Sequence, residues 1–329
     1  MTDPVALASI GLGWWGNVLA EGANSTGKAR VVSCYARTPQ TRETFASKHG
    51  CRPAGSLQEI WDDPTIEGVL IATPHSVRGE LITQAAASGK HVFVEKPLAL
   101  TGSEARASAQ ATKEAGVVLQ VGHNKRRQTA NRRLREMVDS GELGQIQHIE
   151  ANISGPMAFK PDLPEWRKNP EQLPAGGMTP MGVHHIDTIR FLGGPIRSVS
   201  AISKKVSGAL DVDDVTAMLL ELESGALAYL VTLLATAPVN TVTVYGSDAV
   251  AWSEQDGTRL SVQQRGQSSR TEIPVTPIDT IADEMAEFAE CIRTGREPET
   301  GPEAAIPVVD VLEAVIASAN SRRPVDVTG

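Results

Sequence analysis

The chain has 329 residues, enough for about two domains, and 41% hydrophobic with 21% charged residues marks a globular protein with a large core. Its net charge of -8, without a basic tail or stripe, argues against a nucleic-acid partner, and no run of about 18 apolar residues is present to span a membrane. Cys34, Cys51 and Cys291 lie far apart and form no CxxC, so no metal or disulfide framework is expected; residues 1–5 lack a basic-then-apolar leader, and the expectation is a cytoplasmic protein.

Residues 5–10 read as a short apolar strand. Gly11, Leu12, Gly13, Trp14, Trp15 and Gly16 follow at once, with a helix expected to start near Gly16. A G-x-G-x-x-G run between a strand and a helix points to a dinucleotide: Gly11 for the tight turn, Gly13 for close approach of a pyrophosphate, Gly16 for helix packing. The helix N-terminus adds unpaired N–H groups for that phosphate.

A second strand is expected at 31–36. An NAD-binding fingerprint carries Asp or Glu near its end, gripping the ribose. Here Ala36 is followed by Arg37 and Thr38. With no carboxylate to repel a 2′-phosphate and a guanidinium to pair with one, the cofactor expected is NADP(H) over NAD(H). The alternative is an Arg37 stacked on adenine, which serves either cofactor.

A polar helix at 39–49 and an amphipathic turn at 56–62 precede a third buried strand at 69–72, which ends in Thr73, Pro74 and His75. Ser76 is the expected N-cap of a helix running to about Ala87. The next strand, 91–94, belongs to the stretch Val92, Phe93, Val94, Glu95, Lys96, Pro97. A continuous apolar run suits a parallel strand covered on both faces, and its end delivers a lysine where open α/β sheets place ligands. A helix at 101–115 and a strand at 117–121 complete a doubly wound parallel sheet, assigned to residues 1–121. Its strand ends at 11–16, 36–38, 73–75 and 95–97 then line one crevice.

From about 122 the alternation stops. A strand is expected at 146–154, and residues 155–181, rich in Pro, Gly and Met, read as an active-site loop rather than packed structure. Strands at 197–206, 214–222, 226–235 and 240–246, with a hairpin at Ser224-Gly225, mean an antiparallel sheet in an α+β domain spanning 122–329. Leu227, Tyr229, Val231 and Leu233 alternate on one face, a candidate subunit interface unless helices of the same chain cover it. Two amphipathic helices close the chain, the first with Thr280 as expected N-cap and Gly295 as its stop, the second carrying Val308, Val311, Leu312, Val315 and Ile316.

The side chains able to do chemistry are Lys96, Asn124, Arg126, Arg127, Arg167, His184, His185 and Asp187. On a helix over 181–192, His184 shares a face with Asp187, Thr188 and Phe191, and His185 one with Ile189 and Leu192. His185 therefore reads as a structural histidine. Two histidines that diverge on a helix, with no third ligand cluster, do not make a metal site.

With the glycine turn, the Ala72-Thr73-Pro74 strand end and Glu95-Lys96-Pro97 in this order, the chain resembles the Gfo/Idh/MocA oxidoreductases. The likeness extends through residues 122–127, 140–144 and 182–187. It implies a Rossmann domain followed by an α+β domain with a large open antiparallel sheet, often used for oligomerisation, hence a homodimer or homotetramer. It also implies that His184 is the catalytic histidine, and that Lys96 assists hydride transfer between nicotinamide and a secondary alcohol of a sugar, cyclitol or related diol. Lys96 would stabilise negative charge on the reacting oxygen and His184 would take or relay the proton. Asn124, Arg126, Arg167 or Asp187 would hold other substrate groups. Trp166 and Trp14 are candidate apolar walls for a pyranose, with a core role equally open for each.

Two positions depart from the family pattern. Pro180 stands where an aspartate is common four residues before the histidine, so another group such as Asp187 or Asn124 takes that role, the substrate differs from the simple polyols, or the protein is no longer a dehydrogenase. Arg78 stands where relatives often have His; it is expected to cap or point outward, with an anionic substrate group as the alternative. The competing functions are transient use of bound cofactor in glycoside cleavage or epimerisation, and a non-catalytic cofactor sensor.

Overall fold

The computed structural model describes residues 3–328. Strand β1 (Val5–Ile10) leads into helix α1 (Trp14–Ser25), then β2 (Ala29–Tyr35), α2 (Pro39–His49), β3 (Arg52–Pro53), α3 (Leu57–Trp61) and β4 (Gly68–Ile71). Helix α4 (Arg78–Ala87), β5 (His91–Val94), α5 (Gly102–Glu114) and β6 (Leu119–Val121) follow. The strands form one parallel sheet in the order β3-β2-β1-β4-β5-β6. That is the doubly wound order, whose switch point lies at β1. β4 and β5 are buried except at His91, as strands covered on both faces must be.

Local chemistry explains the boundaries. Helix α1 begins at Trp14, earlier than expected, with Gly13 as N-cap. Gly16 is inside the first turn: a Cβ there would lie 2.1 Å from the Gly11 carbonyl oxygen, so its role is close packing. Ser76 does not cap α4. His75–Val77 form a 3-10 turn, which moves the helix start to Arg78. Ser56 and Thr101 do cap, accepting from the amides of Glu59 and Glu104.

The chain continues with α6 (Thr129–Asp139), β7 (Ile146–Ser154), α7 (Gly182–Gly193), β8 (Ile196–Lys204), β9 (Val215–Leu222), β10 (Leu227–Leu233) and β11 (Val239–Gly246). Then come β12 (Ala249–Glu254), β13 (Arg259–Gln264), β14 (Thr271–Ile273), α8 (Thr280–Thr294), α9 (Pro302–Ser321) and β15 (Val325–Asp326). A nine-stranded sheet runs β14-β13-β12-β11-β7-β10-β9-β8-β15. Every pairing is antiparallel except β7 with β10. Helix α7 packs on β7 and β10. It sits close, since a Cβ on Gly193 would lie 2.4 Å from Leu222 and 2.8 Å from Ile149.

Three expectations change. Residues 155–181 are packed: Met157, Leu163, Leu173, Val212 and Leu234 form a small core, with Trp166 and Met181 against it. The Asp279 carboxylate, not Thr280, caps α8, accepting from the amides of Ile281 and Ala282 at 3.0 Å each. A charged oxygen at N-cap answers both the free amides and the helix dipole.

The third change concerns the division of the chain. It falls into two compact units, residues 1–123 with 279–306, and residues 124–278 with 307–329. Helix α8 therefore returns to the first unit, which a single cut at 121/122 misses. The reason is packing: Met285 and Phe288 are buried in one cluster with Leu7, Leu19 and Phe93. Phe288 meets Phe93 edge-on at 5.9 Å, and a Cβ on Gly22 would lie 2.7 Å from Ile281. Helix α9 is, by length and composition, apolar enough to cross a bilayer. Its fully or almost fully buried Val308, Val311, Leu312 and Val315 make it a core helix instead.

Candidate active site

Parallel pairing sets four strand ends level. Ile10 is in register with Tyr35 and Ile71, and Ile71 with Val94. Gly11, Ala36, Ala72 and Glu95 therefore follow the last aligned rung on one sheet edge. The amide of Gly11 donates to Tyr35, that of Ala72 to Ile10 and that of Glu95 to Ile71.

At the first of these ends Gly11 has φ +91° and an added Cβ would lie 2.5 Å from the Ala72 carbonyl oxygen, so only glycine fits. Gly13 is different. A Cβ there meets nothing within 4 Å, and the residue is exposed. No side chain caps α1, and no acid occupies its first turn. The turn is thus an open cradle at a positive helix end that no side chain caps, which fits the pyrophosphate of a dinucleotide. Leu12 is buried beneath it. Trp14 is exposed and lies 5.1 Å from the half-buried Trp15 ring. The Lys96 ammonium lies 5.9 Å from the Trp15 ring centre.

At the end of β2, Arg37 and Thr38 are exposed. Arg42 joins them: its Nη1 donates to the Ala36 carbonyl at 2.9 Å and its guanidinium lies over Tyr35. Its spacing of four from Thr38, which places Arg42 one helical turn into α2, was the available sequence signal.

At the ends of β4 and β5, His75 and Glu95 are buried, while Thr73, Pro74 and Lys96 are half-buried. Burial pushes the Glu95 carboxyl above the usual carboxylate range, and the Lys96 and Arg78 charges pull against that. The Lys96–Pro97 peptide is cis. Arg78 neither caps nor points outward. It is buried, and its Nε and Nη2 donate to the Thr73 carbonyl while its Nη1 donates to those of Glu95 and Pro97.

Residues 5–123 match the family described as "Oxidoreductase family, NAD-binding Rossmann fold", and residues 131–251 match the GFO/IDH/MocA C-terminal domain. The chain belongs to the Gfo/Idh/MocA oxidoreductases. It is an enzyme of nicotinamide-dependent redox chemistry. Among curated relatives, scyllo-inositol 2-dehydrogenase (NAD(+)) of Bacillus subtilis is 31% identical over 291 residues, covering 80% of this chain and 78% of that one. The 1,5-anhydro-D-fructose reductase of Ensifer adhaerens is 26% identical over 300 residues, covering 89% and 90%. Among solved structures, an oxidoreductase from Desulfitobacterium hafniense, named as NADPH-dependent, superimposes with TM-score 0.93 at 32% identity, covering 99% of both chains.

The remaining candidate residues of this Gfo/Idh/MocA enzyme belong to the second unit. Asn124, Arg126 and Arg127 are on a 3-10 turn, all buried. His184, His185 and Asp187 are buried on α7, His184 least completely. Arg126 and Asp187 are brought together: the guanidinium Nε donates to Oδ2 at 2.8 Å, with a second, shorter bond from Nη2 to Oδ1. The Asp187 carboxylate is thereby engaged by the protein's own arginine. His185 is held neutral, its pKa lowered to about 4 by burial and by Lys125, against the Asn240 side chain and the Asn152 backbone. Arg167 stacks over Trp166 at 4.6 Å, and Trp166 packs on the small apolar core. Pro180 is buried and precedes α7. No group of three or more His, Cys, Asp or Glu able to hold a metal occurs among the described residues.

Proposed function

We propose that this enzyme transfers hydride reversibly between NADP(H) and a secondary alcohol or ketone of a sugar, cyclitol or related diol. The observation that carries the reading is Lys96, delivered by β5 to the same sheet edge as the open turn at Gly13. The relatives' names, an inositol dehydrogenase and an anhydrofructose reductase, support the substrate class. The turn at Gly11, Gly13 and Gly16 would hold the dinucleotide, which when bound would accept or supply the hydride. Lys96 donates to the reacting oxygen and stabilises its developing negative charge. His184 takes the hydroxyl proton as the alcohol becomes a ketone, and returns it in reduction. Asn124, Arg126, Trp166, Arg167 and Asp187 are the substrate-binding candidates. The test is turnover of a panel (scyllo-inositol, myo-inositol, D-xylose, D-glucose and 1,5-anhydro-D-fructose) followed by nicotinamide absorbance. Failure of every member rejects the substrate class.

The choice of NADP(H) rests on an exposed Arg37 at the end of β2 and the missing carboxylate there. Arg37→Ala is expected to weaken NADP(H) about 10- to 100-fold, the worth of one charge-assisted contact, and to leave NAD(H) within about threefold. Titration followed by Trp14 and Trp15 fluorescence measures both. An equal effect on the two cofactors rejects the 2′-phosphate role.

Pro180, which offers no carboxylate, favours a non-catalytic cofactor sensor, which the presence of Lys96 and His184 opposes; the runner-up to net hydride transfer is transient oxidation by bound cofactor in glycoside cleavage or epimerisation. Release of reduced cofactor during turnover separates the two, since the runner-up restores its cofactor in every cycle.

The enzyme is also assigned a homo-oligomeric state, dimer or tetramer. Helix α7 covers one face of the large sheet, while Ile202, Leu219 and Leu227 on the other are 61%, 58% and 54% exposed. Contiguous apolar surface of this kind marks an interface. Leu219→Glu should shift the protein to monomers in light-scattering chromatography. A wild-type monomer at about 50 μM, above the Kd of standard interfaces, would reject the assignment.

A further inference from the structure

Arg78 is in an unusual place for a cation. It is the first residue of α4, where the helix dipole is positive, and it is only 4% exposed. Both circumstances disfavour a guanidinium unless hydrogen bonds replace its water. Bonds to three backbone carbonyls are made: Nε to Thr73 at 3.0 Å, Nη2 to Thr73 at 2.8 Å, and Nη1 to Glu95 and to Pro97 at 2.6 Å each.

The three acceptors are not arbitrary. Thr73 is at the exit of β4, and Glu95 and Pro97 flank Lys96 at the exit of β5. One planar group thus ties the chain before and after Lys96 to the neighbouring strand end. A guanidinium can do this because its five N–H groups diverge in a fixed plane from three nitrogens; an ammonium has three donors on one nitrogen and cannot reproduce that spread, planar fork. The side-chain stem of Lys96 is long and flexible, so the aim of its ammonium is set by how firmly its backbone is held. Sub-ångström errors in that aim carry large rate effects.

We infer that Arg78 is a positioning residue for Lys96: its buried guanidinium, bonded to the Thr73, Glu95 and Pro97 carbonyls, fixes the β5 exit from which Lys96 meets the reacting oxygen. The inference rests on the catalytic reading of Lys96. It makes the chemical step depend on Arg78, while cofactor affinity, assigned above to the glycine turn and Arg37, does not.

The test compares Arg78→Lys and Arg78→Gln with wild type and with Lys96→Met, using the panel substrate that wild type turns over fastest. Arg78→Lys keeps the charge and loses the brace; Arg78→Gln keeps a hydrogen-bonding amide, so folding does not hang on one variant. Rates are counted per cofactor-binding site from the Trp fluorescence titration. The expected result is kcat lowered about 10- to 100-fold in both, with KM and cofactor Kd within about threefold. A lower Tm with kcat per site within about twofold makes Arg78 a structural staple only and overturns the inference, provided Lys96→Met has lost its rate. If Lys96→Met keeps its rate, the reading of Lys96 fails; if no panel member reacts, the proposed substrate class fails; in either case the inference falls too.

Discussion

Lys96→Met is expected to keep the cofactor and lose the reaction. Methionine has nearly the length of lysine and none of its hydrogen-bonding or charge, so the apolar stem stays and the donor to the reacting oxygen goes. Removing one such preorganised donor lowers kcat about 10²- to 10³-fold. Cofactor affinity should stay within about threefold, because the proposed pyrophosphate site is the uncapped start of α1 and not Lys96. His184→Asn should lower kcat about 10²-fold through loss of the proton acceptor. Steady-state rates with a reactive panel substrate, beside cofactor titrations, decide it. A Lys96→Met enzyme with wild-type kcat removes the central residue of the mechanism.

Asp187→Ala is expected to be the most damaging single change to the second unit. The carboxylate accepts two bonds from Arg126, with side-chain exposures of 8% for the arginine and 1% for the aspartate. It also counters Arg190, whose pKa burial pulls down and Asp187 supports. Without it, two arginines remain in a poorly solvated place. Breaking a buried pair from one side costs about 3–5 kcal/mol, whereas replacing both partners by apolar residues of similar volume is often near neutral. The double variant Arg126→Met/Asp187→Leu should therefore recover most of the urea midpoint that Asp187→Ala loses. A double variant as unstable as the single one would mean that the pair is not the source of the loss. The contrast also tests substrate roles: a stable double variant with unchanged KM would remove Arg126 and Asp187 from the list of substrate ligands.

The parts of this fold that were legible in the sequence are those encoded over a few residues. Buried runs such as 91–94 and the helices between them repeat with the periods of strand and helix, and the glycines at 11, 13 and 16 state a turn. β12, β13 and β14 were missed although Asp256-Gly257 marked the turn between the first two. Their alternating Ala, Trp, Ser and Gln residues carry a weaker apolar signal than 226–235. Helix α8 was recognised as a helix, with Met285 and Phe288 on its stripe, but its destination was not. An apolar stripe specifies that a face will be buried and says nothing about which core receives it.

The sequence by itself determined the doubly wound sheet, the order in which its strand ends meet, the open glycine turn, and a lysine at the end of β5. These follow from backbone sterics, turn chemistry and apolar periodicity, all local. Only the tertiary structure decided where the long cations go. Arg78 turns inward to carbonyls 17 and 19 residues away as well as to Thr73, and Arg126 finds a carboxylate 61 residues on. Such a side chain can reach solvent, a cap or a distant acceptor at similar local cost. The choice falls to whichever buried acceptors the fold has already gathered around it, because a charge removed from water must be answered by hydrogen bonds or by an opposite charge.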